Sequence, residues 1–247
     1  MNQNCIVVTG ASRGIGAAIA HQLATGGYYV ACLSRSGSAP KREDASKEVT
    51  SRWIPVKADV TDATSLREAF ETIIGKGFRI TGLVNNAGVH LEGSSAEISA
   101  DHWREVLDTN ATSVLTTCQV AYPALLASGG GLIINIGSFF DKMGVKRNLA
   151  YCASKAAVGA ITRCLAVEWA SKGIRVIDVA PGYIQTDLNV EALTTGPLRA
   201  YLEKRIPSGT PGTADDVASL VTTLYNDGGR FLTGETIYID GAQGIAH

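Results

Sequence analysis

The stretch TGASRGIGAAIA, Thr9 to Ala20, decides the fold. It follows a short β-branched run, CIVVT (5–9), and continues into a small-residue pattern suited to a helix at about 15–25. Glycines at 10, 14 and 16 permit a tight strand-to-helix turn and close approach of the backbone to a ligand. A helix opening there offers free N–H groups and a positive end, which favour a pyrophosphate. The G-x-x-x-G-x-G spacing departs from G-x-G-x-x-G, and the absence of GK[ST] excludes the ATP-binding P-loop. A plain strand-to-helix turn would also fit these residues, so the rest of the chain has to decide.

Working outward, short apolar runs alternate with helical patterns throughout. YYVACLS (28–34), WIPVKAD (53–59), TGLVNN (81–86), GLIINIG (131–137), IRVIDVA (174–180) and ETIYID (235–240) read as further strands. Several are apolar on both faces, as in a parallel sheet covered by helices on both sides. Helices are expected near 64–75, 101–127, 151–171 and 214–226. Parallel neighbours need crossover connections, so this order predicts α/β architecture: a Rossmann-type doubly wound parallel sheet of about seven strands with helices on both faces. Neither an internal repeat nor a composition shift divides the chain, and residues 1–247 are read as one domain. The least regular segments are 35–52 and 186–213, and the second is expected to be a substrate lid.

The 22 basic and 23 acidic residues leave a net charge of −1, which gives no pull toward nucleic acid or an anionic membrane. Cysteines at 5, 32, 118, 152 and 164 have no metal-ligand spacing, so no metal is expected. Mostly buried, reduced thiols and the lack of a long apolar segment predict a cytoplasmic location or another reducing compartment.

A dinucleotide site usually places Asp or Glu about 20 residues beyond the glycines to hold the adenosine ribose. Here the second strand ends in Ser34-Arg35-Ser36, with no carboxylate before Glu43 and with Arg13 inside the glycine turn. Two guanidinium groups suit a 2′-phosphate, which favours NADP(H) over NAD(H).

GLIINIGS delivers Ser138 to the C-terminal edge of a buried strand, where open α/β sheets bind ligands. In LAYCASK (149–155), Tyr151 and Lys155 share one helical face at i, i+4. A nearby ammonium stabilises phenolate, although moving a phenol by about three pH units demands roughly 4 kcal/mol. A positively charged nicotinamide and partial burial are expected to help. Cys152 and Ser154 read as spacers that point elsewhere.

Five motifs in order, TGxxxGxG, NNAG (85–88), Asn110 in VLDTN, Ser138 and Y-x-x-x-K, resemble the short-chain dehydrogenase/reductase family over essentially the whole chain. The resemblance implies hydride transfer between a nicotinamide and a carbonyl carbon, with Asn110, Ser138, Tyr151 and Lys155 as the catalytic set. Tyr151 would act as general acid or base, Ser138 would hydrogen-bond the substrate oxygen, and Lys155 would hold the nicotinamide ribose. Asn110 would bind a water through its backbone, its side chain shaping the local helix. Cofactor contacts are implied for Gly10, Ser12, Arg13, Gly14, Ile15, Gly16 and Arg35 from the first half of the site. Asp59 and Val60 would meet the adenine, and Asn86, Ala87 and Gly88 would close over the cofactor. Pro181, Gly182, Ile184 and Thr186 in PGYIQT would line its carboxamide side, beside Tyr151 and Lys155.

Substrate contacts are expected from Ser138, Phe139, Phe140, Met143, Tyr151 and Tyr183, with His90 and Leu91 nearby. Their apolar character suggests a ketone with a hydrophobic body. KRIPSGTPGTADDVA (204–218) and FLTGETIYIDGA (231–242) look closest to the beta-ketoacyl-(acyl carrier protein) reductases. That likeness implies an NADPH-dependent reductase of a 3-oxoacyl-thioester or similar carbonyl compound. Lys172 occupies a position where the subgroup receives its acidic carrier, but SGGG (128–131) replaces the usual basic side chains and weakens a carrier-protein role. The family implies a homotetramer built through 101–127, 151–171 and the C-terminal strand. The rival readings are an NAD-dependent secondary alcohol dehydrogenase and a dinucleotide-sensing protein without turnover.

Overall fold

A computed structural model of the chain describes residues 3–186, 196–227 and 229–246. Its centre is a parallel sheet of seven strands: β1 (Gln3–Thr9), β2 (Tyr29–Ser34), β3 (Trp53–Lys57), β4 (Phe78–Asn85), β5 (Gly131–Ile136), β6 (Ile174–Pro181) and β9 (Thr236–Ile239). The order β3-β2-β1-β4-β5-β6-β9 reverses direction between β1 and β4. Such a switch point opens a crevice at the strands' C-terminal ends. The expected doubly wound architecture is therefore present.

Both faces of the sheet are apolar because helices cover both. On one side α3 (Ala63–Gly75), α5 (Ser113–Ala127) and α6 (Leu149–Trp169) bury Leu66, Phe70, Cys118, Leu125 and Val158 against Leu83 and Ile133. On the other, α1 (Gly14–Thr25) and α8 (Ala214–Asn226) bury Ile19, Leu23, Val217 and Val221 against Val84 and Ile134. Adjacent residues along a strand thus serve opposite cores, which is why the strands read as unbroken apolar runs. Fully burying one such aliphatic side chain stabilises the fold by about 1.5–3 kcal/mol.

Four features depart from the sequence reading. β4 begins at Phe78 rather than 81, pairing with β1 from Gln3 onward. The helix expected over 101–127 is α4 (Ala100–Leu107), a π-turn (Asp108–Thr112) and α5. The segment 186–213, expected to be irregular, contains α7 (Gly196–Arg205), and β7 (Ile184–Gln185) pairs in parallel with β8 (Gly212–Thr213). Residues 187–195 of the expected lid lie outside the described residues. A short α2 (Lys47–Thr50), capped by Ser46, interrupts 35–52.

Among the described residues no helix is long and apolar enough to cross a membrane. Cys5, Cys32 and Cys118 are buried, as expected, while Cys152 is half-buried and Cys164 exposed.

Candidate active site

The glycine turn and the NNAG loop are fastened to each other. Asn86 Nδ2 donates to the carbonyls of Thr9 (3.0 Å) and Gly10 (3.2 Å). In return Thr9 Oγ1 accepts from the backbone N–H groups of Asn86 and Ala87, each at 3.0 Å. At Gly16 a Cβ would collide with the Gly10 carbonyl and the Asn86 amide, so glycine is a steric requirement there. Arg13 occupies the N-cap of α1 without a side-chain cap, leaving the first helical N–H groups for a ligand. Ser12 and Ile15 flank it half-buried. On the far side, a Cβ on Gly14 would lie 3.7 Å from Thr186 Cγ2. Between them opens a cavity of about 300 Å³ lined by Gly14, Lys41, Gln185, Thr186 and Thr213. A backbone cradle that side chains would fill, with uncapped N–H groups and a cavity alongside, fits a dinucleotide pyrophosphate.

The end expected to receive an adenosine is basic. Arg13 and Arg35 are both exposed, and neither forms an ion pair among the described residues. Asp59 accepts hydrogen bonds from Thr61 N (2.9 Å) and Thr61 Oγ1 (2.7 Å). These bonds and the Arg35 charge hold its carboxyl below the usual range. Arg35 and Asp59 therefore share one rim, with Val60 packed partly into the core beside them. Sequence reasoning missed Lys41, whose backbone N–H donates to the Ser12 carbonyl (3.0 Å) and brings 35–52 back onto the glycine turn. Its only signal was the charged run KRED (41–44). Adjacent Arg42 is neutralised by Asp44 and Asp215.

The groups expected to react assemble beyond the end of β5. Ser138 Oγ accepts from Phe140 N (3.3 Å), capping a single 3₁₀ turn (Phe139–Lys142), and is near enough to the Tyr151 phenol to favour its ionised form. Lys155, on the same face of α6, donates from Nζ to the Ile136 carbonyl (2.7 Å) and lies 5.7 Å from the Tyr151 ring centre. Burial pushes the Lys155 ammonium down to about 8, partly offset by the negative charge of Asp178. Burial also pushes Tyr151 above its usual value, and only the nearby Ser138 hydroxyl pulls it back. This corrects one expectation: burial opposes phenolate rather than helping it, because it disfavours whichever form is charged.

Asn110 sits 1% exposed in the π-turn, which rotates it out of α-helical register and into the site. Its Oδ1 accepts from Val89 N (2.8 Å), and its Nδ2 donates to Val89 O (2.8 Å) and Ser154 Oγ (3.1 Å). Ser154 is fully buried and in turn donates to Tyr151 O (2.8 Å). It is therefore no spacer; it ties α6 to the π-turn and, through Asn110, to the loop carrying Gly88.

The side expected to face a substrate is aromatic. The His90 ring lies 4.5 Å from the Tyr151 ring at 40°, and its Nε2 hydrogen-bonds Asn148 Oδ1. Phe140 meets Tyr151 edge-on at 5.9 Å, and Phe139 and Tyr183 are 5.5 Å apart. Phe139 and Phe140 are buried, so they form the floor of this cluster, with Met143 half-buried at its margin. Pro181 and Gly182 end β6, Gly182 N donating to Ile239 O (3.0 Å), and Ile184 is buried in the β7–β8 ladder. Lys172 and the SGGG turn lie together at the opposite, N-terminal edge of β5 and β6, where Gly131 N donates to Gly173 O (3.1 Å). Among the described residues no His/Cys/Asp/Glu cluster could hold a metal.

Known proteins resemble this chain over nearly its whole length. The family described as Enoyl-(Acyl carrier protein) reductase matches residues 10–242. A 3-oxoacyl-[acyl-carrier-protein] reductase of Staphylococcus aureus is 35% identical over 240 residues, covering 96% of each chain. The 3beta-hydroxysteroid dehydrogenase 1 of Eggerthella lenta is 35% identical over 241 residues, covering 96% of this chain and 92% of that one. A crystal structure of a short-chain type dehydrogenase/reductase from Mycobacterium marinum superposes with a TM-score of 0.87 at 30% identity, covering 99% of this chain and 97% of that one. By motif order, fold and relatives alike, the chain belongs to the short-chain dehydrogenase/reductase family of oxidoreductases.

Proposed function

We propose that the chain is an NADPH-dependent reductase of a ketone, a 3-oxoacyl-thioester or similar hydrophobic carbonyl compound, acting through Asn110, Ser138, Tyr151 and Lys155. The observation that carries the reading is the convergence of the Ser138 hydroxyl, the Tyr151 phenol and the Lys155 ammonium beyond β5, beside the glycine cradle. When bound, a nicotinamide dinucleotide supplies the hydride that reduces the carbonyl carbon. Gly10, Ser12, Gly14, Ile15 and Gly16 would hold its pyrophosphate, with Asn86, Ala87, Gly88, Pro181, Gly182, Ile184 and Thr186 around the nicotinamide half.

Ser138 donates to the substrate oxygen and fixes it beside Tyr151. The Tyr151 O–H bond breaks as its proton passes to that oxygen, giving the alcohol and leaving a phenolate. Such a positioned acid contributes about 10²–10⁴-fold. Lys155 has three N–H donors and spends one on Ile136 O, which aims the others toward a ribose and the phenolate. Asn110 holds the Gly88–Val89 loop and α6 at a fixed separation. Arg13 and Arg35 favour NADPH over NADH, since a 2′-phosphate would satisfy two exposed guanidinium groups that, among the described residues, no carboxylate engages in an ion pair.

The aromatic surface around Tyr151 and Tyr183 suits a hydrophobic ketone body. Lys172 lies at the far, N-terminal edge of the sheet, so in a single protomer it offers a carrier protein no contact beside Tyr151, which favours a free ketone or small thioester over a carrier-bound one. Exposed Leu115, Leu126 and Val167 on α5 and α6 support a homotetramer through those helices. An NADPH-oxidation screen across keto-esters, acyl-thioesters, quinones and cyclic ketones tests the reading. Turnover of at least one class is expected, and none from any class would refute it.

A further inference from the structure

Behind the Lys155 anchor lies a carboxylate that the steps above do not use. Asp178 on β6 is fully buried. Strand register sets Asn85, Asn135, Asp178 and Thr236 abreast on β4, β5, β6 and β9, a polar row crossing the sheet beneath α5 and α6. Asn85 Nδ2 donates to Asn135 Oδ1, and Asn135 Nδ2 to Thr162 Oγ1, both at 2.9 Å. Asp178 is satisfied only in part. Thr236 Oγ1 donates to its Oδ2 (3.1 Å), while Oδ1, set against the Gly137 backbone, has no well-formed hydrogen bond among the described residues. A buried carboxylate in that condition is costly unless a cation compensates it.

Its surroundings identify the cation. Oδ1 presses on Gly137, where a Cβ would collide with it, and Gly137 follows Ile136, whose carbonyl accepts from Lys155. Oδ2 faces Gly159, one helical turn beyond Lys155, where a Cβ would come within 3.9 Å of it. Two missing side chains thus seat the carboxylate against the same strand end and helix that hold the ammonium. From α6 it is faced by Lys155 and by the exposed Arg163 beside Gly159; from the turn after β5, by Asp141; from β9, by Thr236 and Tyr238, whose hydroxyl donates to Asp141 (2.8 Å). Lys155 is the buried cation of this group.

We propose that Asp178 is a positioning residue of the proton relay, the counter-charge that keeps the Lys155 ammonium against the Ile136 carbonyl. The proposal rests on the role given to Lys155 above. Burial pushes the Asp178 carboxyl up to about 6 against the pull of Lys155, so between about 6 and 8 both partners are charged.

The test titrates the nucleotide-free chain by ¹³C NMR with lysine labelled at Cε, Lys155 being assigned through Lys155→Met. Asp178→Asn keeps the side-chain shape and the Thr236 hydrogen bond but removes the charge. The Lys155 midpoint should fall by about one pH unit, the lower end of what a close opposite charge contributes. An unchanged midpoint overturns the proposal. Should the variant misfold, wild-type protein labelled at aspartate Cγ decides: Asp178 must ionise before Lys155 loses its proton, and the reverse order leaves no counter-charge. In turnover, the same variant should move the alkaline limb of kcat down in parallel, with KM for NADPH within about threefold. A pH-independent loss of kcat would make Asp178 merely structural. A wild-type chain that reduces no ketone refutes the proposed function instead, and the titration still decides the pairing.

Discussion

Asn110→Ala separates a side-chain clamp from a backbone role. Three hydrogen bonds of 2.8–3.1 Å end on this side chain, and all of them join elements distant in sequence. Each is worth about 1 kcal/mol net, and stranding the half-buried Val89 groups and the buried Ser154 hydroxyl adds a desolvation cost, for a total of roughly 4 kcal/mol. At 2–4 °C per kcal/mol for a chain of this size, Tm should fall by roughly 10 °C. Thermal unfolding followed by circular dichroism, with urea titration as a second measure, reads the change on nucleotide-free protein. Asn110→Ala combined with Ser154→Ala should be less destabilised than the sum of the two by about 1 kcal/mol, because they share one bond. A loss below about 1 kcal/mol would refute the clamp and return Asn110 to a purely backbone role.

Gly16→Ala should abolish measurable NADPH binding by fluorescence titration while leaving a folded chain, since the added methyl displaces Gly10 or Asn86 from the cradle; unchanged affinity would remove the glycine turn from the site. Arg35→Ala should weaken NADPH about tenfold or more, the loss of one charge-assisted hydrogen-bonding group, and leave NADH within twofold. Tighter NADH binding, indifferent to this substitution, would contradict the cofactor preference. Burial lowers Lys155 to about 8, so its ammonium is present below that pH and lost above it, well before an ordinary lysine would deprotonate. NADPH affinity should accordingly decline as pH rises through 8, and a flat profile to pH 9.5 or so would show that the ammonium does not hold the nucleotide.

Much of the fold was legible because its strands serve two cores at once, so GLIINI and IRVIDVAP advertise themselves as apolar runs. The start of β4 was hidden by Arg79, an exposed charged residue one position into the strand. The π-turn at Asp108–Thr112 was invisible because apolar periodicity does not register one extra residue in a helix turn. Yet that turn aims Asn110. Ser138, Tyr151 and Lys155 were found through their order, and the structure adds what order cannot carry. The lysine is held by a main-chain carbonyl, the tyrosine is raised rather than lowered by burial, and Ser154 between them is a tie. Asp178 looked like one polar residue in a strand; only the register with Asn135 and Thr236 and the emptiness of Gly137 and Gly159 reveal where its charge is aimed.

The most direct measurement is single-turnover reduction by Tyr151→Phe with saturating NADPH and any ketone the wild-type chain accepts. The ring, its packing against His90 and Phe140, and the fold are all retained, and only the proton donor is removed. The reduction rate should fall by about 10²–10⁴-fold with NADPH affinity nearly unchanged. A Tyr151→Phe chain that reduces the ketone at the wild-type rate would contradict the assignment of Tyr151 as the acid.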